Sequence, residues 1–399
     1  MEHRGLFLAI IISMEKRNLG NGIWFYAAAS FLNDLGHFLF TAIWPVFVTT
    51  TLGASVTFLG FLDGFGTSLE SISQAVSGFL SDRIRRRKLF IWIGYLIPSI
   101  AALIYSGARA PWQLFVGKFF DRSGKMRDAP RDAAVADATE HNKRATAFGI
   151  LRAADRAGAF LGLAISAILV SYLTYRQLFL LAAIPGFVGT AIILFFIREN
   201  HDGGADRKIK ISFKEAGRNF KIFTVLSLVF TLGAFSDSFY ILDAEKRGFS
   251  LSSTSLLYLV YVFVSSATAV PFGRLADKVG RKSVIGLSYA LLAATNILFI
   301  VSRSAESLVL AFAAYGLHYG AYKGNVKAFA ADLSPKNLRA SFLGGFEMLV
   351  GLVSFPASII AGALWQGVNP SAAFYFSVLM SLVALALIPM IVESKKDVG

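Results

Sequence analysis

Apolar residues in this chain come in long blocks separated by short polar stretches, not in strand-like alternation or the one-sided stripe of a surface helix. A helix rises about 1.5 Å per residue, so a run of about 20 apolar residues crosses a hydrocarbon core. Twelve blocks meet that length, at residues 23–50, 56–80, 89–107, 111–137, 145–173, 177–197, 222–242, 252–275, 284–301, 308–332, 341–366 and 372–392. The fourth is weak, because charges crowd its second half. The pattern predicts an all-α membrane protein of about twelve transmembrane helices.

Composition agrees with a bilayer as solvent. Of 399 residues, 55% are hydrophobic and 16% charged, too few polar side chains to coat a soluble globule of this size. The net charge of +14 would suggest nucleic acid in a soluble protein; here the basic residues lie between apolar blocks, which makes them topology signals. One set of loops carries Arg83, Arg85, Arg86, Arg87, Lys88, Lys143, Arg144, Arg281, Lys282, Lys336 and Arg339. The opposite set carries Arg109, Arg176, Lys246, Arg247 and Arg303. The richer side is expected in the cytoplasm with both termini, across a bacterial inner membrane. The predicted order is an N-terminal cytoplasmic segment (1–20), a six-helix bundle (21–197), a charged linker (198–221), a second six-helix bundle (222–392) and a cytoplasmic tail (393–399). The apolar run at residues 6–12 is too short to span, and Met14 is an alternative start.

The halves share a register. Gly78, Leu80 and Asp82 recur 195 residues later as Gly273, Leu275 and Asp277; the same offset carries Ala136-Asp137 onto Ala331-Asp332, Asn142 onto Asn337, Arg144 onto Arg339 and Gly149 onto Gly344. With six spans in each half, this is a parallel repeat, the plan of a transporter with its site between two bundles.

The loop between the second and third spans of the major facilitator superfamily reads Gly-x-Leu-x-Asp-Arg-x-Gly-Arg-Arg. Gly273, Leu275, Asp277, Gly280, Arg281 and Lys282 resemble it, with Lys278 for Arg. Gly78, Leu80, Asp82, Arg83, Arg86 and Arg87 form the first copy, with Arg85 for the second Gly. The stretch from Asp121 through Arg122, Gly124, Lys125, Pro130, Arg131 and Asp132 to Asp137 is similar to a subgroup of bacterial permeases that includes drug and siderophore transporters. The resemblance covers essentially the whole chain. It implies two bundles around a central cavity, alternating access, and a monomer. In the loop motifs, Asp82, Arg83, Asp277 and Arg281 are expected to latch the cytoplasmic side, or simply to cap helix ends.

Ionisable groups at mid-membrane depth are expensive and mark function. Asp34 sits near the midplane beside Asn33 and His37 with no other basic neighbour in its span, which suits a group that loads and releases protons. The alternative is a structural carboxylate locked to an arginine such as Arg122. Glu70 and Asp237 are further proton-coupling candidates. The fourth and fifth spans carry Lys118, Arg122, Lys125, Arg127, Arg131, Arg152 and Arg156 against Asp121, Asp128, Asp132 and Asp155. Arg122 and Arg152 are expected at an anionic substrate, since arginine binds carboxylate or phosphate bidentately; His318, Lys323 and Glu347 join them as substrate-binding candidates. Lys125 to Arg131 read as a solvated or gating cluster. The repeat maps Asp128 and Asp132 onto Lys323 and Lys327, which suggests inter-half salt bridges closing the cytoplasmic side.

Gly316, Gly320 and Gly324, and Gly158 and Gly162, are spaced for close helix approach. Pro130, Pro271 and Pro356 are candidate kinks, and Phe235 and Tyr322 candidate cavity aromatics. There is no Walker sequence, His-Glu-x-x-His or Gly-x-Ser-x-Gly, and the five histidines (His3, His37, His141, His201, His318) are scattered. The reading is a secondary active transporter of a small organic solute, coupled to protons, with no enzymatic activity, cofactor or nucleic-acid partner. Export of drug-like or siderophore-like molecules and uptake of a small organic anion both remain open. A non-transporting membrane sensor is the competing class.

Overall fold

The computed structural model describes residues 22–84, 86–140, 143–198, 216–335 and 338–391, and among these it is helical with no strand. The N-terminal segment with Met14, Arg85, His3, His141, His201, most of the linker (199–215) and the tail (393–399) lie outside the described residues. Twelve passages run in sequence. The first half comprises α1 (Gly22–Thr41, then Trp44–Val46 and Phe47–Thr51), α2 (Val56–Ile84), α3 (Arg87–Gly107), α4 (Pro111–Ser123, Gly124–Arg127, Asp128–Asp137), α5 (Arg144–Leu169) and α6 (Tyr175–Phe196). The second comprises α7 (Arg218–Gly233, then Ser238–Lys246), α8 (Leu251–Val279), α9 (Arg281–Val301), α10 (Ala305–Asp332), α11 (Arg339–Gly367) and α12 (Pro370–Leu387).

Seven passages are individually long and apolar enough to span a membrane, and α1, bent by 46°, makes an eighth. The remaining four, α2, α4, α5 and α10, carry the intramembrane charges discussed below. Their low apolarity follows from facing protein and water rather than lipid.

Local chemistry sets the helix ends. α2, α6, α8, α10 and α12 start at one end of the molecule, and Ser55, Thr174, Ser250, Ser304 and Asn369 there accept backbone N–H groups of the first turn. At the other end α3, α5, α7, α9 and α11 each begin with arginine. A cation opposes the helix dipole at an N-terminus, and nearby carboxylates offset this. Arg87 pairs with Asp82 and Asp137, and Arg281 lies 3.0 Å from Asp332 and 3.8 Å from Asp277. The carboxylates of the two clusters are repeat-equivalent, Asp82 with Asp277 and Asp137 with Asp332, while Arg87 stands one residue out of register with Arg281. In the first, the arginine is Arg87; Arg83, expected there, makes no ion pair among the described residues.

The halves meet along α2 and α11. A Cβ added at Gly64 would fall 2.7 Å from the Phe355 carbonyl oxygen, and one at Gly362 2.8 Å from the Thr57 Cα, so glycine is what allows these backbones to touch. Thr57 donates to the Gln366 side chain, Ser68 Oγ to the Gly351 carbonyl, and Ser252 Oγ of α8 to Ala167 of α5. All these contacts lie between mid-membrane and the end opposite the basic loops. Among the described residues, no hydrogen bond or ion pair joins the halves from there to the basic end. Of the sequence-spaced glycines, Gly158 and Gly162 pack on α1, and Gly316 and Gly320 on α8, as spacing predicts; Gly324 has nothing against it. Pro271 and Pro356 lie within continuous helices.

Candidate functional site

The candidate site residues lie on the four charge-bearing passages, α2, α4, α5 and α10, and on the two broken ones, α1 and α7. α4 changes to a tighter turn at Gly124–Arg127, upstream of Pro130. Gly94 and Gly124 bring the α3 and α4 backbones together there, and Arg127 Nη1 donates to both carbonyls at 3.0 and 2.9 Å. Arg131 Nη1 donates to Ser30 Oγ, which bonds in turn to Tyr95. Both arginines are buried. The expected solvated cluster is therefore in part a structural pin of α1, α3 and α4, because desolvated guanidinium groups must satisfy their donors on backbone and hydroxyl oxygens.

Arg122 is committed to carboxylates, with Glu70 Oε2 at 3.1 Å and Asp121 Oδ2 at 3.3 Å. It does not hold Asp34, whose one side-chain partner among the described residues is the Asn33 amide at 3.2 Å. Lys125, Arg127 and Asp155 act on Asp34 through space only. A small cleft, partly open to solvent, lies beside it within the first half, lined by Asn33, His37, Asp121, Arg122 and Lys125.

Deeper, next to the inter-half contact, lies a pair not expected as partners. Lys118 Nζ is 2.7 Å from Asp63 Oδ1, both side chains buried, and sits 4.3 Å over the Trp44 ring. Trp44 Nε1 and Ser236 Oγ also donate to Asp63, at 2.9 and 2.8 Å. Ser236 belongs to the break in α7 at residues 234–237, and Asp237 lies on the same unwound turn. Asp237 accepts from Tyr258 at 2.8 Å and from Tyr315. The tyrosines continue as a wall, Tyr261 stacking on Tyr315 at 4.5 Å and meeting Tyr319 edge-on at 5.7 Å.

Several expected site residues land elsewhere. His318 is buried, its Nδ1 is 2.7 Å from the Ser288 carbonyl oxygen, and it stacks between Tyr315 and Tyr322; it is a packing residue of the second half. Phe235 is buried in the core, not in the cavity, while Tyr322 is half-buried beside Phe230. Asp128 accepts from Gln74 and neighbours Arg127 and Arg131. Lys323 donates to Tyr319 at 2.8 Å, so Asp128 and Lys323 are not joined with the basic end open. Arg152 is 3.8 Å from Asp132 and 3.6 Å from Asp155, and Lys327 is 2.8 Å from Glu347. These are one repeated α4–α5 and α10–α11 contact with its polarity reversed, made within each half rather than between halves.

Arg156 stands apart. It is exposed at the centre of α5, with no hydrogen bond or ion pair among the described residues. Mid-span depth together with the absence of a carboxylate three or four residues away on its own helix was the sequence signal for it.

A family model described as the Major Facilitator Superfamily matches residues 26–243 and 222–398. An uncharacterized MFS-type transporter of Methanocaldococcus jannaschii is 34% identical over 380 residues, covering 93% of this chain and 94% of that one. The quinolone resistance protein NorA of Staphylococcus aureus is 25% identical over 160 residues, 39% of this chain and 40% of its own. Among solved structures, the nucleoside transporter NupG superposes with a TM-score of 0.79 at 14% identity, over 94% of this chain and all of that one. A bacterial homologue of the human lysosomal transporter Spinster, inward-facing and occupied, gives 0.77 at 14% identity, over 92% and 96%.

Proposed function

The chain belongs to the Major Facilitator Superfamily, and on that premise we propose that it moves a small organic solute across the bacterial inner membrane by proton-coupled alternating access. Its bundles span residues 21–197 and 222–392, its termini are cytoplasmic, and it works as a monomer. The observation that carries this reading is the one-ended seam: hydrogen bonds join the halves from Thr57–Gln366 to Ser68–Gly351, and none among the described residues joins them where the basic loops lie. A wedge opening towards the basic, cytoplasmic side is one of the two states that alternating access needs.

Asp34 carries the proton. Of the three candidates it alone is free of a strong partner, Glu70 being tied to Arg122 and Asp237 to two tyrosines. A group already held by a cation or by hydroxyl donors gives up less free energy to a change in proton supply. Asp128 and Lys323 then approach when the cytoplasmic side closes, making the inter-half bridge that is absent with that side open. Asp82 and Asp277, with Arg87 and Arg281, hold the helix ends that move as rigid units.

Protein reconstituted in liposomes under an imposed pH gradient tests this, with internal pH recorded as candidate solutes are added. Solute-dependent proton movement supports the reading. A protein that binds solute but neither translocates it nor moves protons would be a sensor. The partial similarity to a quinolone resistance protein favours export of a drug-like molecule as the second reading, decided by the direction of net flux.

A further inference from the structure

Two carboxylates at membrane depth, Asp34 and Asp237, have no ion pair among the described residues; the others at that depth, Asp63 and Glu70 among them, each have a cation 2.6 to 3.7 Å away. Asp237 differs from Asp34 in what surrounds it. Its two oxygens take hydroxyl donors, from Tyr258 at 2.8 Å and from Tyr315. Those donors orient the carboxylate but do not balance its charge, and its remaining lone pairs have room for further donors. Rings extend away from it. Tyr261 stacks on Tyr315 at 4.5 Å, lies 5.0 Å from Tyr258 and meets Tyr319 edge-on at 5.7 Å. At the far end of this row sits an ammonium. Lys323 Nζ donates to the Tyr319 hydroxyl at 2.8 Å and lies 5.3 Å from its ring centre. Lys323 acts on Asp237 through space only. Asp237 and Tyr319 are half-buried and Lys323 is exposed, so the row is open at its lysine end. An alkylammonium thus already rests on this tyrosine wall, a few rings short of an unneutralised carboxylate.

We propose that the solute is an organic amine, and that its protonated nitrogen settles between Asp237 and the tyrosine rings and displaces Lys323 from Tyr319. This rests on the transporter reading above. A primary ammonium offers N–H donors to the open lone pairs of Asp237 and a positive charge to the ring faces. A neutral solute lacks the charge, and an anion is repelled by Asp237. Two ammonium groups cannot share the hydroxyl and face of Tyr319 without repulsion, so Lys323 leaves. Once free, it is available to Asp128, the bridge assigned above to the closed basic side. Binding and closure are thereby linked, because the loaded site favours the state in which Lys323 has another partner. Asp34, in the field of Lys125 and Arg127, is the poorer place for a cation.

Isothermal titration of the full-length protein in detergent at neutral pH tests this. Phenethylamine is the probe, with 2-phenylethanol and 3-phenylpropionate as its neutral and anionic counterparts. The wild type is expected to bind phenethylamine and neither counterpart measurably. Asp237→Asn should weaken binding at least about tenfold through loss of a charge-assisted hydrogen bond, and Asp237→Glu should restore part of it. Tyr319→Leu should weaken it about threefold by removing a ring face. Lys323→Gln should tighten it about threefold by removing the competing cation; a lysine that only holds Tyr319 in place would not shift affinity in that direction. No binding of phenethylamine, equal binding of 2-phenylethanol, or preference for 3-phenylpropionate would overturn the amine class. Wild-type affinity in Asp237→Asn would overturn the site. Should that variant fail to fold, as read by thermal unfolding in detergent, wild-type affinity in Tyr319→Leu would overturn it instead. Weaker binding in Lys323→Gln would overturn the displacement. Flux of another solute into liposomes without amine binding would sink this inference alone. The expected amine pattern with no flux of any solute would support the site and sink the transporter reading.

Discussion

Ser236 Oγ donates to Asp63 Oδ2 at 2.8 Å, tying the unwound turn of α7 in one half to a buried carboxylate in the other. Asp63 also receives Lys118 at 2.7 Å and Trp44 at 2.9 Å. A single carboxylate therefore collects donors from α1, α4 and α7 at the closed end of the wedge, and α7 cannot swing away without leaving part of it unsatisfied.

Removing one member of that pair should cost far more than removing both. Lys118→Met leaves a buried, uncompensated Asp63 and is expected to destabilise by about 3–5 kcal/mol. Asp63→Asn combined with Lys118→Met should recover most of the loss. Thermal unfolding in detergent, read for both single variants and the double, checks this; a double as unstable as Lys118→Met would mean the charge is not the cause.

Gly64→Val tests the seam itself. Its side chain would meet the Phe355 backbone, where the Cβ alone falls 2.7 Å from a carbonyl oxygen. The variant should lose the seam between α2 and α11 and open the opposite end. A cysteine at Ser358, buried in the wild type, should then become reactive to a membrane-impermeant maleimide. Unchanged protection would place the seam's strength elsewhere.

Exposed ion pairs should behave differently. Lys327 and Glu347 are 61% and 45% exposed, so Glu347→Gln is expected to change stability by less than about 1 kcal/mol. A loss of several kcal/mol would reveal burial in another conformation.

The proposed gate predicts a charge-swap pattern. Asp128→Lys and Lys323→Asp should each abolish solute flux, and the double swap should restore a measurable part of it. Flux absent in both singles and the double would argue against the pairing.

Asp34→Asn should uncouple. Solute exchange across liposomes without a gradient is expected to persist while uphill accumulation driven by pH is lost. Gradient-driven accumulation at the wild-type rate would move the proton role to Glu70 or Asp237, whose partners Arg122, Tyr258 and Tyr315 would then have to release them.

How much of the site could be read beforehand depended on the range of the signal. Charges at membrane depth are visible in one dimension, because a run of apolar residues sets the depth and any ionisable group within it stands out. Asp34, Arg122, Asp237 and Lys323 were singled out on that basis. Their partners were not visible. The pairing of Arg122 with Glu70 spans 52 residues, that of Lys118 with Asp63 spans 55, and the contact of Ser236 with Asp63 spans 173. Nothing in hydropathy distinguishes His318, pinned to Ser288, from a histidine facing water. Arg156 is visible in the sequence as a mid-span cation, and its lack of a partner among the described residues emerges only in three dimensions.

The sequence alone determined the class of architecture, since a chain dominated by apolar blocks of this length has no other solvent than lipid and a shared offset of 195 residues points to a repeated half. Tertiary structure decided where hydrogen bonds join the two halves, which cations are spent on holding α3 and α4 together, and which carboxylates hold the rest. The reason is electrostatic. The meaning of a charge depends on what lies within a few ångströms of it, and in a bundle those neighbours come from helices tens to hundreds of residues away.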